Sequence, residues 1–537
     1  MNRGEHHLET RLRPTVNSPR RRFVLHPYLN GALRVLAMLL FLGTVSRFWH
    51  PHYGMTRFLQ AANSSQERML PILKSAPIFI YPGGGAYDGF YYAQVATDPS
   101  LGDPKLSRAV DDLGYRARRI FLSAVAWAIG NGDPVRTVRA YAWLNVGGWL
   151  LLAALLWRLL PTHDTRANLA WIGILGSAGV MLSVRLSLPD LPALLFLAAG
   201  LFAVERGRWL GAGLLLGVAA LSRETALLGC VALLPRARWS FETMRKPALA
   251  CALAVLPLAL WVAWVVWQTG RSGAGINNLA PPGLEWWHKL QALITAQSTE
   301  SNRALAIASL LGHFALAIQA TFLVLHRDWR CPWWRAGAAA VLLFLCLGPA
   351  VWGIDLPGAS VRVLLPLTLA FNVVAVRRKT ALAWLLAGNL AVTGGVVAVQ
   401  VVQHDPHELA GGQAGSGTFV VRAESGWYGT ERLGDLTWTW SKGEGGVRID
   451  LWPKRDAVHE ATIELKALSP RHVEIQQDER ILWSGPVDET LIRVSLGNLT
   501  FVDGQARLYF RSNGPPVRPS ASDSRELTFA VFGIELR

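Results

Sequence analysis

Between Tyr81 and Gln94 the chain runs Tyr-Pro-Gly-Gly-Gly-Ala-Tyr-Asp-Gly-Phe-Tyr-Tyr-Ala-Gln, a glycine-rich turn that carries one carboxylate, Asp88, into a cluster of aromatic rings. A single positioned carboxylate suits the removal of a proton from a hydroxyl group. Tyr87, Tyr91 and Tyr92 supply flat faces for a sugar ring, and these three are cavity candidates beside Asp88 as the catalytic candidate. The same pattern also fits an interfacial aromatic belt or an aspartate closing its own turn, and both readings stand at this stage. Asp98 and Asp103 each precede proline and are expected to start turns. Asp111 and Asp112 imitate a paired motif, but adjacent residues on a helix do not face each other, so a solvated cap is expected.

Basic residues follow at Arg116, Arg118 and Arg119, at the head of an apolar stretch. Arginine grips phosphate through a bidentate fork, and an anionic lipid surface accounts equally for a basic interface. Arg223 and Glu224 interrupt the long apolar run Trp209–Pro235, and Arg362 follows Asp355 by seven residues at the edge of another. Ionisable groups at membrane depth are functional suspects, which makes Arg223 and Arg362 further phosphate-binding candidates and Glu224 and Asp355 cavity candidates. Arg185 and Asp190 bracket a turn and join the cavity set, although Ser187-Leu-Pro-Asp190 has the form of a capping box. Trp286-Trp287-His288-Lys289 suits an amphipathic surface helix, with His288 interfacial rather than catalytic. Cys230, Cys251, Cys331 and Cys346 lack zinc-ligand spacing, and nothing in the pattern calls for a metal or a cofactor.

These residues need a scaffold, and composition points to a bilayer. Hydrophobic residues make up 51% of the chain and charged residues only 17%, against about 25% charged in soluble domains. The net charge of +16 comes from arginines in short linkers rather than from a basic stripe beside aromatics, which excludes nucleic acid as a partner. Runs of roughly 20 apolar residues fall at 31–49, 136–158, 168–184, 247–268, 303–325, 334–352 and 380–402, with a proline-containing run at 361–376. Leu188–Val204 adds a short one. Trp209–Pro235 is too long for one span and divides at Ser222–Thr225, giving about eleven spans in all.

The run after Arg20-Arg21-Arg22 has no small-residue cleavage site, so an uncleaved first span is expected. With the N-terminus inside, the basic linkers Arg158–Arg166, Glu205–Arg208, Pro235–Lys246, His326–Arg335 and Arg377–Lys379 alternate onto the cytoplasmic side. Arg185–Asp190, Ser222–Thr225, Gly270–Arg303, Gly353–Arg362 and the loop 50–135 then lie outside. This parity requires Ile120–Ile129 to be an interfacial helix rather than a span, with Asp133-Pro134 opening the next span as N-cap and first helical residue. The expected organisation is a basic cytoplasmic segment 1–30, a membrane domain 31–403, a linker 404–416 and an extracytoplasmic β-sandwich or jelly roll 417–537. About eight period-two strands support the last of these: Thr418–Arg422, Leu436–Trp440, Val447–Trp452, Ala461–Leu465, Val473–Ile475, Leu491–Leu496, Ala506–Phe510 and Leu527–Leu536. Trp427-Tyr428 fits either its core or a glycan contact.

Four stretches together, Tyr87-Asp-Gly-Phe-Tyr-Tyr92, Tyr115-Arg-Ala-Arg-Arg-Ile120, Arg223-Glu-Thr-Ala-Leu-Leu228 and Val361-Arg-Val-Leu-Leu-Pro366, resemble bacterial members of the GT-C glycosyltransferase superfamily across roughly residues 30 to 400. That superfamily includes protein O-mannosyltransferases and the lipid A aminoarabinose transferase. The resemblance implies a hexosyltransferase of the inner membrane whose donor is a polyprenyl-phosphate-linked sugar, with Asp88 in the place of the catalytic carboxylate of the first outer loop. It also implies membrane lipids as partners and a glycan, lipid or protein as acceptor. Some members carry two neighbouring acidic residues at that point, whereas Gly89 follows Asp88 here. A transporter or flippase of lipid-linked glycans is the rival reading, although the chain shows no internal repeat of the kind transporters carry. A non-catalytic glycan-binding envelope protein is the third.

Overall fold

A computed structural model describes residues 27–235, 240–270, 276–299, 303–353, 358–434 and 436–537. Most of the N-terminal basic segment, parts of the Pro235–Lys246 and Gly270–Arg303 linkers, and Asp355 lie outside them.

The helices Tyr28–Ser46, Pro134–Leu159, Phe241–Thr269 and Arg303–Leu325 are long and apolar enough to cross a membrane. Thr165–Leu175 and Ala178–Arg185, bent by 41° where Ser177 caps the second piece, make a fifth crossing if counted as one. Among the described residues, length therefore supports four or five spans and does not confirm the expected count of about eleven. The remaining candidates are short: the Trp209–Ser222 helix has 14 residues and would rise about 21 Å, below the roughly 30 Å of a hydrocarbon core. The 361–376 and 380–402 runs are each broken, at Leu364 and near Asn389. Trp209–Pro235 does divide where expected: an α-helix ends at Ser222 and a 3-10 helix, Glu224–Leu233, follows. Leu36, Leu39, Leu40, Leu256, Leu260 and Trp267 are exposed on the long helices, an apolar surface for which lipid is the fitting solvent.

The charged linkers gather at two ends of the bundle. At one end Arg34 donates to the Asn168 side chain and the Leu160 carbonyl, Arg166 to the Thr380 carbonyl, and Arg377 pairs with Glu205. At the other end the loop after the first helix meets Arg185, Asp190, Arg223, Glu224 and Arg362. Ile120–Ile129 forms a helix of 10 residues, Phe121–Gly130, folded against Pro134–Leu159, and Asp133 caps the latter by accepting from the Arg136 amide.

The C-terminal region is a pair of antiparallel sheets. One has the order Arg480–Val487, Arg471–Gln477, Gln505–Ser512, Glu444–Trp452, Gly417–Ala423, Glu408–Ala414; the other Ile492–Phe501, Ala457–Ala467, Phe529–Leu536, Leu436–Trp440, Glu431–Leu433. Alternate residues such as Val447, Ile449, Ile463, Leu465, Leu508 and Phe510 face one shared core, which makes a sandwich. All eight expected strands are present. Three more were not foreseen: Glu408–Ala414 is glycine-rich, Glu431–Leu433 is too short to show a period, and Arg480–Val487 contains Gly-Pro. The first of these corrects the linker boundary, because residues 408–414 are a strand hydrogen-bonded to Gly417–Ala423 rather than a tether. Trp427 fills the core and donates to the Gly446 carbonyl.

The sandwich packs directly on the loop after the first helix. His50 pairs with Glu408 at 3.1 Å, His52 Nδ1 lies 3.2 Å from the Thr418 hydroxyl, and Arg422 donates to the Tyr53 hydroxyl. Val420 joins Tyr53, Ala62, Phe79 and Tyr81 in a small buried cluster.

Candidate functional site

Asp88 is the first residue of the helix Asp88–Val95. The preceding strand Ile80–Tyr81 pairs with Ala61–Ala62, and the Tyr87 amide donates to the Gln60 carbonyl, so the glycine turn between them is held at both ends. Buried Gln94 fixes the far end of the helix by accepting from the Leu70 amide at 2.8 Å and donating to the Ala109 carbonyl at 2.9 Å. Gly89 presses on the turn before Asp190: a Cβ there would lie 2.0 Å from the Leu186 carbonyl oxygen. Only glycine permits that approach.

Around this helix the sequence-distant candidates converge as ion pairs. Arg116 bridges Asp88 at 3.0 Å and Asp111 at 2.7 Å. Burial opposes the charges of Arg116 and Asp111, but their mutual hydrogen bond and attraction outweigh it, raising the guanidinium pKa and lowering that of the carboxyl. Glu224 takes Arg119 at 3.1 Å and Arg118 at 3.4 Å. Asp190 takes Arg223 and, at 3.3 Å, Arg362, which also donates to the Tyr87 hydroxyl at 2.9 Å. Tyr91 and Tyr92 lie under the Arg116 guanidinium at 5.6 and 5.7 Å. Five guanidinium groups thus meet four carboxylates, and the excess of one positive charge suits an anionic ligand.

The individual residues differ in what they have left to offer. Every guanidinium nitrogen of Arg119 already has a partner, in Glu224, Tyr92 and Tyr115, so it braces the site. Arg118 is more open, with a side chain 19% exposed, although its Nε is buried 3.4 Å from Glu224. The Asp88 side chain is 26% exposed, whereas that of Asp190 is 1% exposed.

Two expectations change. Asp190 is not the end of a capping box: Ser187 takes a left-handed backbone, its hydroxyl has no hydrogen-bond partner, and Pro189 occupies the cap position. Asp111 is not merely solvated, since it shares Arg116 with Asp88, while Asp112 does cap a helix by accepting from the Tyr115 amide. Asp98 behaves as a turn former, accepting from the Ser100 and Asp103 amides. Arg185 stands apart from the ion-pair cluster and supports the loop through the Arg57 carbonyl and the Tyr81 hydroxyl. His288 is on the surface beside Glu285. The spacing gave no sign of Tyr115 as a ligand of Arg119, nor of Asn145, which holds the turn before Asp190 through the Ser183 and Leu188 carbonyls.

The arrangement presents partly exposed carboxylates, Asp88 among them with Asp111 and Glu224, beside cations and phenol rings at the end of the bundle that carries the sandwich. No protein-family model matches the sequence, and no curated protein matches it. Among solved structures the chain is similar to the cryo-EM structure of arabinosyltransferase EmbB from Mycobacterium smegmatis, at 12% identity and a TM-score of 0.23 over 84% of this chain. The match spans 64% of that protein, under two thirds of its length, and a score of this size leaves the functional argument to the site itself.

Proposed function

We propose that the protein is an integral membrane glycosyltransferase of the GT-C type, moving a sugar from a polyprenyl-phosphate donor to an acceptor hydroxyl on the extracytoplasmic face. The observation that carries this reading is the cluster in which Arg116 pairs with Asp88, Arg118 and Arg119 with Glu224, and Arg223 and Arg362 with Asp190, arginines from three distant segments with Tyr87, Tyr91 and Tyr92 among them.

In this mechanism the acceptor oxygen attacks the anomeric carbon while Asp88 takes its proton. The bond from that carbon to the phosphate oxygen breaks, and the polyprenyl phosphate leaves with the electron pair. Charge grows on the departing phosphate, where preorganised guanidinium groups stabilise it most effectively. Arg118 is the direct phosphate ligand, and Arg119 a positioning residue that holds Glu224 and Tyr92. Arg116 holds Asp88 in place. Asp190 stays paired and holds Arg223 and Arg362 in place.

The test is incubation of the purified protein in lipid nanodiscs with a panel of radiolabelled polyprenyl-phosphate sugars and an extract of envelope acceptors. Label transferred by the wild type and not by Asp88→Asn supports the reading. Transfer from none of the donors, or equal transfer by both proteins, sinks it.

A further inference from the structure

A cavity of about 680 Å³ lies between the loop after the first helix and the six-stranded sheet, separate from the arginine cluster. Asn63 and Gln66 line the loop side, and Arg422, Arg448, Asp450 and Trp452 line the sheet side. Its volume is that of a small-molecule site.

The lining chemistry narrows the occupant. Arg422 is bound to Asp450 at 3.0 Å and Asp405 at 3.3 Å, and Arg448 to Asp450 at 3.2 Å and Glu424 at 3.7 Å. Lys74 and Lys454 also line the cavity, and Lys454 pairs with Asp503 at 3.8 Å, so four cations stand against four carboxylates and the wall carries no net charge to draw an anion. The side-chain amides of Asn63, Gln66 and Gln505 add groups that both donate and accept, and Trp452 adds aromatic surface. Fixed donors and acceptors of balanced charge beside an aromatic face suit a neutral polyol, whose hydroxyls also donate and accept.

The cavity is also wired to the site. Gln66 donates to Asn63, and Asn63 donates to the Pro82 carbonyl, at the start of the glycine turn that carries Asp88.

We infer that this cavity binds a neutral oligosaccharide portion of the acceptor, outside the transfer centre. The word acceptor rests on the glycosyltransferase reading; the binding site does not. A chain seated here would lie against the segment that leads directly into the Asp88 helix, so that its growing end reaches the carboxylate from the sandwich side.

The experiment uses full-length protein in nanodiscs and neutral pentasaccharides of glucose, mannose, galactose or arabinose, followed by saturation-transfer NMR and calorimetry, with a sulfated pentasaccharide and inorganic phosphate as charged controls. At least one neutral sugar should bind, with Arg448→Ala and the cavity-filling Gln66→Trp each weakening it by about tenfold or more. Asp88→Asn should bind as the wild type does. Both cavity variants are first shown to retain the wild-type thermal transition, and they lie on opposite walls, so one folding failure leaves the other informative. Failure of every neutral sugar to bind, preference for the charged controls, or unchanged binding in the folded variants would overturn the inference. Sugar binding without any transferase activity would leave this site standing and remove the catalytic reading.

Discussion

Asp88 and Asp190 are both carboxylates facing arginines, and substitution by asparagine should separate their roles. The Asp88 side chain is 26% exposed and meets Arg116, which keeps Asp111 when Asp88 is neutralised. A partly exposed pair of this kind contributes about 1 kcal/mol or less. Asp190 is 1% exposed and neutralises two buried guanidinium groups, and breaking such an arrangement from one side costs about 3–5 kcal/mol. Loss of a positioned general base lowers turnover by about 10²- to 10⁴-fold. Asp88→Asn should therefore lose at least two decades of transfer at almost unchanged thermal stability, with donor binding retained because the site becomes more positive. Asp190→Asn should melt well below the wild type. Stability is read by thermal unfolding in detergent and turnover by label transfer, or by complementation of a deletion strain with envelope glycan analysis. Asp88→Asn restoring normal glycan at wild-type expression would refute the base assignment, and an Asp88→Asn protein as unstable as Asp190→Asn would show that the residue is a strut.

Gly89→Ala should displace the turn before Asp190, because the added carbon would sit 2.0 Å from the Leu186 oxygen; a misalignment of about 1 Å costs on the order of 100-fold in turnover, and wild-type activity would discount that contact. Single cysteines at Gly85 and Ser522, in a background without the four native ones, should react with an impermeant maleimide in intact cells while one at His163 stays silent; labelling at His163 alone would invert the topology. Burial and then Arg422 push the His52 pKa down to about 3 from 6.5, with His50, Arg139 and Glu408 also facing it. The unfolded chain then binds more protons within that window, so stability should fall as pH drops from about 6.5 toward about 3. His52→Gln should flatten this dependence in pH-resolved melting curves, and an unchanged slope would show that other groups set it.

Local pattern made much of the architecture legible. Period-two alternation marked eight strands because each has one face in the sandwich core, and Asp133-Pro134 announced its helix because cap and first turn are set by neighbouring residues. Glu408–Ala414 escaped because glycine carries no alternation, although its backbone pairs with Gly417–Ala423 regardless of side chains. Asp88 and the arginines could be singled out as ionisable groups in apolar surroundings. Their partners could not, since the Arg119–Glu224 contact joins residues 105 positions apart and Arg362–Asp190 joins residues 172 apart. Ser187-Leu-Pro-Asp190 has the letters of a capping box, and only the arrival of Arg223 and Arg362 turns its aspartate inward.

The contacts of His50 with Glu408 and of Arg47 with the Gln400 carbonyl join the exit of the first helix to a segment made some 350 residues later. Closing so long a loop costs on the order of 5 kcal/mol in chain entropy, which the intervening helices must first reduce by packing. Biogenesis therefore has a direction: the loop bearing Asp88 leaves the ribosome well before the strand that braces its base. A nascent chain arrested before Glu408 carries every residue of the charged cluster and lacks the buttress beneath it, so shortened products should be poor competitors for donor lipid and ready targets for membrane proteolysis.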